Sequence, residues 1–267
     1  VVVQGGLTGL AGGATPQNGE FAISLERMSA IEEIDATAMT LTALAGTPLQ
    51  LLQEAAAEHD LFVPLDLGAR GSCMIGGNVA TNAGGTEVIR YGMTRSMVLG
   101  LEVVLADGTV VSSMNKMVKN NSGYDLKHLF IGSEGTLGIV TRVVLQLQPK
   151  SRGTHTALCT LNSYTAVTQL LNELKRSLGS GLTGFELMWD SYYDKVIEVL
   201  PNLTSPIAES HPDYLLVEYR DNDLLSGGQR LESTLVASLE SGLLTDALTA
   251  QSQQHASTFW AIRDGIG

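Results

Sequence analysis

The sequence predicts an α+β protein in two parts, and three observations carry that prediction. The chain has 267 residues, more than one ordinary compact core serves, so two domains are expected. Of its 29 glycines, 20 precede Pro149 and 9 follow it. Short strands and glycine loops thus fill the first segment, and longer periodic stretches fill the second. Strand-like and helix-like patterns alternate along both, as expected for sheets layered with helices. The linker falls at Pro149-Lys150-Ser151, giving expected domains 1–149 and 150–267.

In the first part a helix begins at Thr47-Pro48, with Thr47 as N-cap, Pro48 in the first helical position and Gln50 completing a capping box. Leu49, Leu52, Ala55 and Ala56 form its apolar face. Leu101 to Ser112 reads as a β-hairpin, because Asp107-Gly108 supplies the positive φ angles of a tight turn. Gly138 to Gln148 reads as a strand from its β-branched residues. The second part opens with a strand near Thr156 to Thr160. A helix with Val167, Leu170, Leu171, Leu174 and Leu178 on one face follows and stops at Gly179. The pattern then predicts a helix over Glu186 to Leu200 ending at Pro201, and a strand at Tyr214 to Tyr219. A helix through Leu231, Leu235 and Leu239 and a strand at Leu244 to Leu248 complete it. An antiparallel sheet with helices on one side is the expected layer.

Composition limits the function. There are 28 acidic and 16 basic side chains, a formal charge of −12. Nucleic acid is a poor partner for such a chain, since phosphates call for a basic face. A phosphorylated ligand would have to be held by backbone amides. Cys73 and Cys159 lie far apart without metal-ligand spacing, which fits a reducing compartment. No run reaches about 18 apolar residues, so no helix is expected to span a membrane; the expected location is cytoplasmic, with peripheral association at the inner membrane admitted and targeting signals not assessable. The chain starts at Val1 without Met and ends at Gly267 within a helical pattern, so it reads as an internal piece of a longer protein.

Three loops of the first part carry the chemistry. One runs from Gln4 through Gly5, Gly6, Leu7, Thr8 and Gly9 to Gly13. The second runs from Pro64 through Gly68, Gly71 and Ser72, then Ile75, Gly76, Gly77, Asn78, Thr81, Asn82 and Gly85. The third is Gly132 to Ile139, with Glu134, Gly135 and Gly138. Glycine lets successive N–H groups point into one concavity and lets a ligand approach closely, so such a nest holds diphosphate without Lys or Arg. The spacing of Gly6, Gly9 and Gly12 is not the Rossmann fingerprint, and no P-loop motif is present. Taken singly, each loop also reads as a turn between strands.

The string PLDLGARGSCMIGGNVATNAGG, with RYG at Arg90 to Gly92, LGLEVVLADGT, NNSGYDLKHLFIGSEGTLGIVT and QPK, resembles the FAD-linked D-2-hydroxy acid dehydrogenases. These are the D-2-hydroxyglutarate and D-lactate dehydrogenase group of the vanillyl-alcohol oxidase and p-cresol methylhydroxylase (PCMH) superfamily. The resemblance implies a PCMH-type FAD-binding domain, followed by an incomplete α+β cap domain with an antiparallel sheet. It implies that Gln4 to Gly9 cradle the FAD diphosphate. Pro64, Gly68, Gly71, Ser72, Ile75, Gly76, Gly77, Asn78, Thr81, Asn82 and Gly85 would line the diphosphate and flavin side. Glu134, Gly135, Gly138 and Ile139 would close the third side. Leu7 stands where relatives often carry Asn. Met74 stands where some carry His, so FAD is expected to be non-covalent, and Cys73 is read as a packing thiol.

On the substrate side, Arg263 in TFWAIRDGI matches an arginine that grips the substrate carboxylate in this group. A guanidinium offers the paired donors that a carboxylate accepts. An ordinary helix arginine paired with Asp264 is the plainer alternative. The implied function is oxidation of a D-2-hydroxy acid to the 2-oxo acid, with D-2-hydroxyglutarate preferred and D-lactate or glycolate close behind. Electrons would pass to a flavoprotein, quinone or cytochrome, and there is room for a homodimer. A divalent metal such as zinc would take ligands beyond this chain. A flavin-binding subunit that only transfers electrons is the main alternative, and a sugar-nucleotide reductase on the same fold a weaker one.

Overall fold

The computed structural model describes residues 1–200, 202–223 and 226–265. They group into two compact units, Val1–Gly85 with Tyr91–Lys150, and Thr86–Arg90 with Ser151–Gly267. Both units combine helices with antiparallel sheet, as the predicted fold class requires.

In the first unit, β1 (Val2–Gln4) and β2 (Ala22–Ser24) pair in parallel. The main sheet comprises β3 (Ile31–Asp35), β4 (Thr40–Leu44), β6 (Val98–Val104), β7 (Val110–Ser113) and β8 (Ile139–Gln146). Its order is β3-β4-β8-β6-β7. β5 (Leu61–Phe62) pairs with β9 (Gln148–Pro149). Leu41, Ala43, Leu101, Val143 and Leu145 of the sheet pack with Leu49, Leu52 and Ala56 of α1 (Leu49–Ala57). Ile75 and Val79 of α2 (Ile75–Ala80) join the same core. The shorter α4 (Thr94–Met97) and α5 (Lys127–Phe130) lie between strands in sequence, as does α3 (Val88–Tyr91), of which Val88 to Arg90 group with the second unit.

Two local expectations are corrected here. Pro48, not Thr47, occupies the N-cap of α1, and no side chain caps it. Instead the amides of Leu49 and Gln50 donate to the carbonyls of Cys73 and Arg70, so a distant loop satisfies the helix end. The Thr47 hydroxyl bonds both backbone groups of Ala30, and Gln50 turns to Glu54. The hairpin forms, with Val104 opposite Val110, but only Gly108 takes a positive φ, of 85°. Asp107 instead accepts from the Thr109 amide at 2.9 Å, an Asx turn.

The second unit holds a four-stranded antiparallel sheet made of β10 (Gly153–Leu161), β11 (Leu182–Trp189), β12 (Asp213–Asp221) and β13 (Asp246–Thr249). The order is β11-β12-β10-β13. Helices cover both faces, not the single face expected. Cys159, Leu215 and Val217 face α6 (Tyr164–Leu178) and α8 (Gly227–Glu240). Leu158, Tyr214 and Leu216 face α7 (Asp190–Val199) and α9 (Gln253–Arg263). The helix expected over Glu186 to Leu200 begins only at Asp190, because Glu186 to Trp189 pair with β12 as strand. Pairing across a buried sheet overrides the helical preference of Glu and Leu. The stop expected at Pro201 lies outside the described residues.

Candidate functional site

A cavity of about 440 Å³ opens in the first unit where the three glycine loops converge. Thirteen of the residues singled out in the sequence line it: Gly5, Gly6, Leu7, Thr8, Gly9, Gly76, Gly77, Asn78, Thr81, Glu134, Gly135, Gly138 and Ile139. The first two loops meet because their backbones nearly touch at Gly6, and α2 lies close to the chain that follows β4 at Gly76. A Cβ on Gly6 would stand 1.8 Å from the Ser72 carbonyl oxygen, and one on Gly76 would stand 2.6 Å from the Ala45 Cβ. Gly77 differs, since a Cβ there would meet nothing within 4 Å and would enter the cavity.

The electrostatics of the cavity come from main chain. The amides of Gly5 through Gly9, and that of Gly77, donate to no protein acceptor among the described residues. Gln4 sets the first loop by donating its side-chain amide to the Ala14 carbonyl at 2.9 Å. Leu7 holds a left-handed φ of 56° at the turn, a conformation that costs a non-glycine residue about 1–2 kcal/mol. No Lys, Arg or His lines the cavity, and Glu134 is its one charged lining residue. A row of unsatisfied N–H groups without a cation is an anion nest of the kind that binds phosphate.

The second and third loops are tied together. The amides of Gly132 and Glu134 donate to the Val79 and Ala80 carbonyls at 3.0 and 2.9 Å, at the end of α2, where the Val79 carbonyl also accepts from the Asn82 amide. Arg95 donates to the carbonyls of His128 and Ile131, and its own amide donates to Asn82 Oδ1 at 2.9 Å. Asn82 itself is left-handed at φ 49°, where Asn is tolerated. The Thr81 hydroxyl returns to the Gly77 carbonyl. Asn78 is 4 % exposed with no partner for Oδ1, while its side chain hydrogen-bonds to the Cys73 thiol. Burial pushes that thiol above its ordinary range against the pull of Asn78, so it stays protonated near neutrality.

Gln4, Pro64, Gly68, Gly71, Ser72, Ile75, Asn82 and Gly85 do not line the cavity. Several of them build its walls. Ile75 is fully buried in the core, Ser72 backs Gly6, and Gly85 lies where a Cβ would stand 2.2 Å from the Asp66 carbonyl oxygen. Lining residues not singled out as binding positions include Val3, Leu10, Ala11, Gly13, Leu67, Cys73, Met74 and Val140. Most are apolar, and nothing in a sequence separates an apolar wall from an apolar core.

Arg263 closes α9 in the second unit. Its Nε and Nη2 donate to Glu186 Oε2 at 2.8 and 2.6 Å, and Nη1 donates to Asp264 Oδ1 at 3.0 Å. The Tyr192 hydroxyl donates to its carbonyl. Burial would lower the guanidinium pKa, but hydrogen bonds and charge from Glu186 and Asp264 outweigh it and raise it. The Asp264 pairing is therefore present, and Glu186 is a second partner unforeseen from sequence. Among the described residues no group of three or more His, Cys, Asp or Glu side chains is placed to hold a metal. None of the described helices is long and apolar enough to cross a membrane. A more open groove of about 540 Å³ in this unit is lined by surface polar side chains such as Gln169, Asn172 and Arg176.

Residues 1–113 match the family described as FAD binding domain, and residues 150–266 match the family of FAD linked oxidases, C-terminal domain. The chain is 44% identical over 266 residues to the mitochondrial D-2-hydroxyglutarate dehydrogenase of Arabidopsis thaliana, covering 100% of this chain and 48% of that protein. It is 41% identical over 263 residues to the mitochondrial enzyme of the same name from Rattus norvegicus, covering 98% and 49%. The chain thus spans about half the length of the curated relatives it matches. A solved structure of alkyldihydroxyacetonephosphate synthase has the same fold, with a TM-score of 0.74 at 16% identity, over 97% of this chain and 51% of that one. A match to an FAD binding domain over the first part and a match to the C-terminal domain of FAD linked oxidases over the second together account for both parts of the sequence.

Proposed function

We propose that the protein to which this chain belongs binds FAD non-covalently in the first unit and oxidises a D-2-hydroxy acid to its 2-oxo acid. D-2-hydroxyglutarate is the preferred substrate, with D-lactate and glycolate as nearest alternatives. The observation that carries the proposal is the run of unpartnered amides from Gly5 to Gly9, joined by that of Gly77, on a cavity without cationic lining. These donors fit a diphosphate, and the space before Gly77 fits a ligand that lies against bare backbone. Asn78 Oδ1, buried and unpartnered, offers one further acceptor. The protonated, buried Cys73 offers no nucleophile for a covalent tether.

When bound, FAD supplies the two-electron acceptor for the hydride that leaves the substrate carbon. The task assigned to Arg263 is to hold the substrate carboxylate. Three of its five N–H donors are engaged, which leaves two for a ligand. Its pair with the exposed Asp264 is worth little in water and exchanges readily for a substrate anion. The Glu186 contact, through one oxygen to Nε and Nη2, fixes the plane of the guanidinium. The divalent metal implied by the family resemblance would take its ligands beyond this chain, whose described residues hold no group of three or more His, Cys, Asp or Glu side chains placed for one. A flavoprotein, quinone or cytochrome as electron acceptor, a homodimer, and a reducing compartment belong to the same proposal.

Anaerobic mixing of the full-length holoprotein with each acid tests the substrate assignment. The flavin absorbance should bleach fastest with D-2-hydroxyglutarate. A flavin that stays oxidised with every D-2-hydroxy acid would remove the proposal.

A further inference from the structure

We propose that Glu218 and Trp260 are positioning residues for Arg263. Their hydrogen bond sets the rotation of α9 about its axis, and with it the direction in which the guanidinium meets the substrate carboxylate. This rests on the role given to Arg263 above and adds what aims it.

Glu218 lies on β12 and is 6 % exposed. Burying an acidic side chain is costly unless its oxygens are hydrogen-bonded, and here both are. Oε1 accepts from the Thr183 hydroxyl at 3.2 Å and from Arg220 Nε at 3.0 Å, while Oε2 accepts from the Trp260 indole N–H at 3.2 Å. The sheet thus anchors one oxygen and leaves the other aimed at α9. Gly184 stands opposite Glu218 in the register of β11 with β12. A Cβ there would come within 2.9 Å of the Glu218 Cβ, so a bare strand keeps the place of the acid clear. Apolar packing commonly replaces a buried ionic group at no loss of stability. What the acid adds here is direction.

Trp260 and Arg263 are three residues apart on α9, hence neighbours on one helix face. Their acceptors are spaced to match. Glu186 pairs with Leu216, two residues from Glu218, so the two acids are diagonal neighbours on adjacent strands. Two polar contacts one turn apart, Trp260 to Glu218 and Arg263 to Glu186, define how the helix is turned on the sheet. The remaining contacts do not. Phe259 and Ile262 have no exposed surface, but apolar burial is non-directional. The Tyr192 hydroxyl holds a single backbone point, the Arg263 carbonyl. Released from Glu218, α9 can roll on these contacts and carry the guanidinium off Glu186.

Anaerobic flavin reduction in the full-length holoprotein separates affinity from chemistry. Trp260→Phe keeps an aromatic ring and loses the donor. Glu218→Gln keeps the volume, but its carbonyl oxygen answers to Thr183 and Arg220, which turns its amide N–H groups toward the indole. Each variant should bind D-2-hydroxyglutarate about ten-fold more weakly, read from the concentration dependence of bleaching, since hydrogen bonds to charged groups are the strong ones. Calorimetry with 2-oxoglutarate, which needs no turnover, should show the same loss. The limiting rate should stay within about two-fold, because a grip on the carboxylate serves ground and transition states alike. The double variant should be no weaker than either single one, as two changes that cut one bond require. Unchanged affinity in either variant overturns the proposal, and so does an additive loss in the double. A limiting rate that falls ten-fold, or flavin lost from both variants, would make the pair part of the chemistry or a brace of the fold, with the same result. Wild-type protein whose flavin no D-2-hydroxy acid bleaches would instead fail the functional reading itself, before any variant is compared.

Discussion

A methyl group added at Gly6 would run into the Ser72 carbonyl, whereas one added at Gly77 would project into open space. Gly6→Ala should accordingly destabilise the first unit by about 1–3 kcal/mol, as overpacking does. Gly77→Ala should leave stability unchanged or raise it by up to about 1 kcal/mol through helix propensity, yet weaken FAD uptake ten-fold or more. Chemical denaturation and flavin titration on the same two variants read both effects. The sequence showed where glycines gather. It did not show which are forced by the neighbouring backbone and which by a ligand, because that depends on what lies where a Cβ would be. Leu7 is a second residue-scale case. Leu7→Asn removes left-handed strain at φ 56° and should stabilise the fold by about 0.5–1 kcal/mol, seen as a higher denaturant midpoint at constant m. At Arg263, Asp264→Ala frees the Nη1 donor and should lower KM for the acid several-fold. Arg263→Ala should abolish flavin reduction while FAD stays bound.

Among the elements, the strands and helices were legible wherever a hydrophobic period ran unbroken, as in α6 with Val167, Leu170, Leu174 and Leu178 all buried. Two features were not. Helices cover both faces of the β10-β12 sheet because ALCTL and YLLV lack the polar alternation of a one-faced sheet, and successive apolar residues enter opposite cores. That signal was present and points to a doubly buried sheet. The end of α1 is satisfied by carbonyls from residues 70 and 73, a long-range partner that no local cap motif discloses. Long-range fixing also governs the third glycine loop, which hangs from the last carbonyls of α2 and from Arg95. Arg95→Met removes donors to two backbone carbonyls and should cost about 2 kcal/mol. Faster hydrogen exchange at Gly132 and Glu134 than in wild type would register it, and unchanged exchange would show that the loop is held otherwise.

For the molecule as a whole, pH acts through a buried thiol. Cys159 has no exposed surface, and burial pushes its pKa from 9.0 up to about 12. In the unfolded chain the thiol ionises near its ordinary value, while the folded chain keeps its proton. Between pH 9 and 12 the folded state therefore binds more protons, and stability falls as pH rises. The loss approaches about 1.4 kcal/mol per pH unit in that window. Cys159→Ala should flatten the alkaline slope of a denaturation series, although its neutral stability is lower from the missing sulfur.

The five residues Thr86–Arg90 group with the second unit, though they lie within the first part of the sequence. Ile89 packs against its core, and Glu87 pairs with Arg220 at 2.7 Å. A gene cut after Lys150 would hand both to the wrong fragment. Recombination between homologues that swaps everything downstream of the linker carries the same hidden mismatch, unless this short stretch travels with it.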